Sequence, residues 1–115
     1  MVLGFTTAQV APIMAGTRRH CLREGHRYQV GMRVEFYAYL RRVGMYPFRA
    51  PAPVVSLRLV ELSADGTLLF DGQPLPEADV QTLAQFEGFA CTTDLLAFLA
   101  SRPRPFRGQL ICWGG

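Results

Sequence analysis

Lysine is absent from the 115-residue chain, and every basic residue apart from its two histidines is one of 12 arginines. A guanidinium keeps its proton at any working pH, so mechanisms that need a lysine base or a Schiff base are excluded, while bidentate clamping of phosphate or carboxylate stays open. Cysteine is scarce too: Cys21, Cys91 and Cys112 are odd in number, widely spaced and form no Cys-x-x-Cys pair, which excludes a disulfide framework and a zinc ribbon. His20, Cys21 and His26 do not supply a metal site instead, since adjacent residues of a strand point to opposite faces and a fourth ligand is lacking. No metal and no cofactor are expected. There is no Gly-x-Ser-x-Gly elbow and no glycine-rich phosphate cradle, so serine-hydrolase and nucleoside-triphosphatase readings find no foothold. No apolar run approaches the ~18 to 20 residues of a membrane span. The apolar N-terminal stretch lacks a basic leader and is interrupted by Thr6, Thr7, Gln9 and Pro12, which argues against a secretory signal. A cytoplasmic protein without a membrane partner is expected.

What is present is enough chain for one core. With 50% apolar residues, a chain of this size buries roughly two thirds of the surface it exposes unfolded, and residues 1–115 read as a single domain. The net charge of +3 hides a segregation: nine arginines and two acids lie in residues 1–58, seven acids and no arginine in 59–101, and three arginines in the remainder. Clustered guanidinium groups suit an anionic partner such as RNA, a nucleotide or a phosphate-bearing metabolite, because they neutralise phosphate and release counterions.

The apolar pattern predicts a small α+β fold. Val2–Phe5 reads as a strand. Thr6 or Thr7 caps a short helix that carries Val10, Ile13 and Met14 on one face and stops at Gly16. Residues 18–23 read as extended. Met32 to about Leu40 is a clear strand, with Val34, Phe36, Ala38 and Leu40 on one face and Arg33, Glu35, Tyr37, Tyr39 and Arg41 on the other. Gly44–Pro53 reads as a proline-rich loop. Val54–Leu62 and Leu68–Phe70 form a hairpin around Ala64-Asp65-Gly66, and Asp71-Gly72 makes the next turn. Pro76 opens a helix with Val80, Leu83 and Ala84 as its apolar stripe, ended by Gly88. Thr92 or Thr93 caps a further helix that turns Leu95, Phe98 and Leu99 inward, and Phe106–Trp113 is a closing strand. About five or six strands with about three short helices suit a small, partly closed β-barrel.

Gly16–Arg23 is the segment richest in chemistry, with three arginines, His20 and Cys21. A thiol between Arg19 and Arg23 has its thiolate stabilised, which makes Cys21 a candidate nucleophile if it is accessible and a small core residue if it is not. Tyr37, Tyr39, Tyr46 and Phe48, interleaved with Arg41, Arg42 and Arg49, form either a base-stacking, phosphate-binding surface or ordinary sheet packing. Glu87 lies at a helix C-terminus, where the macrodipole disfavours a carboxylate, so another group is expected to hold it.

Gly16-x-Arg18 followed by Arg23, Val30-Gly31 leading into a strand, Glu87-Gly88-Phe89, and the closing run from Phe106 through Leu110 and Ile111 to Trp113 together resemble the ASCH domain family. The resemblance covers roughly residues 1–40 and 85–113 and implies a PUA-like β-barrel whose cleft serves RNA recognition or nucleoside modification. Small bacterial amidohydrolases of that family deacylate acetylcytidine with a Lys, a Thr three residues later and a distant Glu. Those positions fall on Arg18, Cys21 and Glu87 here, and the Asp that follows the family's glycine is Met32. Two readings result. The first is an RNA- or nucleotide-binding module in which Arg18 and Arg23 grip phosphate and Tyr37 or Tyr39 stacks a base. The alternative is an amidohydrolase acting on acetylcytidine or a similar small amide, with Cys21 as nucleophile, Arg18 on the oxyanion and Glu87 moving protons. Docking of a protein partner or a second copy is left open by the dipolar sequence.

Overall fold

The structure is a computed structural model, and residues 1–38, 44–101 and 106–114 are described. In chain order the elements are β1 (Val2–Phe5), α1 (Thr7–Met14), β2 (His20–Glu24), β3 (Arg33–Ala38), β4 (Tyr46–Leu62), β5 (Leu68–Phe70), β6 (Gln73–Pro74), α2 (Glu77–Phe86), α3 (Thr92–Ala100) and β7 (Arg107–Trp113). Three helices and a mixed, curled, barrel-like sheet of seven strands make a small α+β fold among the described residues. The sheet runs β1-β3-β4-β5-β6, with β7 pairing both β2 and β4. The β1–β3 pair is parallel, and β3–β4, β4–β5 and β5–β6 are antiparallel. The strand beyond the expected six is Gln73–Pro74, laid against β5 by the Asp71-Gly72 turn, both of whose residues take positive φ (50° and 82°).

Contacts divide the chain into two compact units: Met1–His20, Tyr28–Leu57 and Cys112–Gly115 form the first, and Cys21–Arg27 with Arg58–Ile111 the second. The first is centred on aromatic packing. Phe36 and Trp113 meet edge to face at 5.0 Å, and Phe5 and Phe48 complete the cluster at 5.9–6.1 Å, spacings at which ring quadrupoles add to the area buried. The β3 alternation explains the arrangement, since Val34, Phe36 and Ala38 are buried and Arg33, Glu35 and Tyr37 are not. In the second unit, Val60, Leu62, Leu68 and Phe70 of the hairpin and Val80, Leu83 and Ala84 of α2 are buried, as are Leu95 and Leu99 of α3.

Three local expectations are corrected. Tyr46–Pro53 belongs to β4 and is not a loop: Phe48, Ala52 and Val54 point into the core while Pro47, Pro51 and Pro53 point out. Pro47 and Pro53 pair with Tyr37 and Arg33, and the β3–β4 ladder carries register shifts on either side of Phe36, the kind of irregularity with which strands tolerate proline. The α3 N-cap is Cys91 rather than a threonine. Met14 and Phe98 sit on the wet sides of α1 and α3, with Phe98 packed on Phe89 at 5.4 Å.

Candidate functional site

In the first unit, the end of α1 delivers Arg18. Gly16 adopts φ +76°, which a side chain would strain, and the chain reverses so that the Thr17 and Arg18 N–H groups both donate to the Pro12 carbonyl, at 3.1 and 3.2 Å. Arg18 is the buried charged residue of the described chain, 2% exposed, and its Nε donates to the His20 carbonyl at 3.0 Å. Burial of a guanidinium is costly unless its donors are satisfied, so this placement is a constraint on the local fold. His20 is held below the ordinary imidazole range first by burial and then by the positive charge of Arg18. The Trp113 N–H, donating to the Arg19 carbonyl at 3.0 Å, fixes the same segment to the end of β7.

Tyr37 lies on the outer face of β3, partly exposed, with Gly4 of β1 and Pro47 of β4 as its cross-strand neighbours. Neither neighbour carries a long side chain across the ring. Arg33 is exposed on the same face, two alternations away. Arg49, on β4, lays its guanidinium over the Phe36 ring at 4.6 Å. Tyr39 lies outside the described residues.

In the second unit, β2 carries Cys21 and Arg23, and α2 ends at Glu87. The Leu22 N–H donates to Glu87 Oε1 at 2.5 Å, so the carboxylate is bound at the residue between Cys21 and Arg23. That bond answers the helix-dipole argument raised by the sequence. The turn that places Glu87 is closed by Glu87 N–H to the Leu83 carbonyl and Phe89 N–H to the Ala84 carbonyl, with Gly88 at φ +90°. Cys21 is 1% exposed and Arg23 partly exposed. Behind Arg23, Gly108 of β7 approaches so closely that a Cβ there would collide with the Arg23 carbonyl oxygen.

Cys21, Arg23 and Glu87 are therefore brought to one strand segment, and Arg18 and Tyr37 belong to the first unit. Sequence reasoning missed the roles of the Leu22 amide, which has no side-chain signature, and of His20 beside Arg18, whose only signal was the spacing of two. Among the described residues no group of three His, Cys, Asp or Glu side chains could hold a metal ion, and no helix is long and apolar enough to cross a membrane. No protein-family model, curated protein or solved structure matches the chain.

Proposed function

We propose that the chain is a cytoplasmic RNA- or nucleotide-binding domain of the ASCH/PUA-like kind. The observation that carries this reading is where the charge falls: the described residues of the first unit include Arg18, Arg19, Arg33 and Arg49 against the single carboxylate of Glu35. Segregated guanidinium charge favours a phosphate-bearing ligand. The Tyr37 ring, between Gly4 and Pro47 with Arg33 on the same face, is suited to stacking a base, and Tyr39 continues the same alternation in the sequence. Arg18 contributes its charge from a poorly solvated position, where a field is less attenuated than in water, and Arg23 is a partly exposed residue whose Nε is buried. The test is fluorescence anisotropy of a labelled single-stranded oligoribonucleotide. Binding weakened roughly fivefold or more by Tyr37→Ala, at the lower end of base-stacking energies, supports the reading. Absence of binding, or equal binding by the variant, overturns it.

A second reading, an amidohydrolase acting on acetylcytidine or a similar small amide, is favoured by one observation, the Glu87 carboxylate bound at the residue next to Cys21. In it Cys21 attacks the acyl carbon and forms a thioester as the C–N bond to cytidine breaks, Glu87 carries the thiol proton to the departing amine, water then hydrolyses the thioester, and the resemblance assigns the oxyanion to Arg18. It ranks second because a thiol with 1% exposure is closed to a substrate. Release of cytidine from acetylcytidine, lost in both Cys21→Ala and Glu87→Ala, would reverse the ranking.

A further inference from the structure

The second unit contains a cleft of about 370 Å³. Its floor is apolar, made by Leu68 of β5, Leu75, Val80 of α2 and Leu96 of α3. Two polar side chains stand at its wall, Glu77 at the start of α2 and Thr92 at the start of α3. Neither the Glu77 carboxylate nor the Thr92 hydroxyl is engaged by another described residue. The remaining wall is the turn before β5, held closed by Ser63 N–H to the Thr67 carbonyl at 2.9 Å and Gly66 N–H to the Ser63 carbonyl at 3.0 Å. Thr67, on that turn, is a third polar residue of the lining, and its N–H donates to Ser63 Oγ and Asp65 Oδ1, both at 3.1 Å. Leu75 is fixed by its N–H bond to the Leu68 carbonyl at 3.1 Å. The cleft is thus pre-formed, within the ~300 to 1,000 Å³ range of small-molecule sites, and combines an apolar floor with a few polar groups.

The sign of its charge selects the ligand. Glu77 is the charged side chain of the lining, and Asp79 and Asp94 occupy the same first turns of α2 and α3. Asp79 and Asp94, in those first turns, each offset the positive end of their own helix, so the Glu77 carboxylate sets the sign of charge at the cleft. We infer that this cleft binds a small molecule with an apolar body and a cationic ammonium head, the body on Leu68, Leu75, Val80 and Leu96 and the head between Glu77 and Thr92. An anion with the same body meets a repulsive mouth.

The experiment is a titration of the full chain with phenylbutylammonium, followed by methyl NMR, with phenylbutyrate as the anionic counterpart of matched shape. The expected result is saturable ring-current shifts confined to the methyl groups of those four residues. Glu77→Gln, a substitution at an exposed helix start, weakens binding roughly two- to fivefold, the range of a solvent-exposed charge pair, and phenylbutyrate binds at least that much more weakly to the unaltered protein. Leu96→Trp, which fills the cleft, abolishes the shifts. Shifts that are absent, unsaturable or spread over the protein overturn the inference. So does equal affinity for the two probes, or for the protein and its Glu77→Gln variant.

Discussion

The Glu87 carboxylate accepts the Leu22 N–H and so ties the end of α2 to the middle of β2 across 65 residues of chain. Glu87→Ala leaves that strand amide without its acceptor, and the expected cost is about 1–3 kcal/mol in urea denaturation. Glu87→Gln keeps an oxygen in place and should cost clearly less. Equal losses from the two variants would show that the tie contributes little to the fold.

Gly108 is the other fixed point of β2. A Cβ at this position would run into the Arg23 carbonyl and the Phe106 ring edge, and the first of these is backbone that cannot swing away. Gly108→Ala is expected to destabilise by at least about 2 kcal/mol, within the range for overpacked cores, readable as a fall in the denaturation midpoint. A neutral substitution would contradict the close approach of β2 and β7.

His20 provides a pH dependence. Burial and the Arg18 charge lower its affinity for a proton in the folded chain, so the unfolded chain binds more protons as acid is added. Its contribution to stability is fully present above the ordinary imidazole value of 6.5 and is lost as pH falls from there through the lowered folded value. Urea midpoints measured between about pH 7 and pH 5, spanning the ordinary imidazole pKa, should drop more steeply for the natural chain than for His20→Gln. Parallel curves would sink this assignment.

The three thiols should separate by access. Cys91 is exposed and Cys21 is 1% exposed, so iodoacetamide should modify Cys91 in the folded protein and reach Cys21 only on unfolding. Peptide mapping after timed labelling reads both rates. Faster modification of Cys21 than of Cys91 would favour the hydrolase reading over the binding one.

The parts of the fold legible in the sequence are those set by contrast between neighbours. Val34, Phe36 and Ala38 against Arg33, Glu35 and Tyr37 show a strand and its buried face without any knowledge of partners. Asp71-Gly72 announces a turn because few other pairs tolerate two positive φ angles. Tyr46–Pro53 was illegible as strand because Pro47, Pro51 and Pro53 carry a loop signal, and what overrides it is the distant pairing with β3. The candidate site was half legible for the same reason. Glu87 stood out by its conflict with the helix dipole, yet its partner is a backbone amide 65 residues away. Arg18 reads as a surface phosphate clamp because arginine is seldom buried, and its 2% exposure is decided by the turn at Gly16.

Phosphate binding by the arginines of the first unit, as proposed, is read most directly from the salt dependence of oligoribonucleotide binding. Neutralising about three phosphates predicts a linear fall of log affinity with log salt, amounting to roughly tenfold or more between about 50 and 200 mM. Binding that is absent at low salt, or that does not change across that range, would contradict the account.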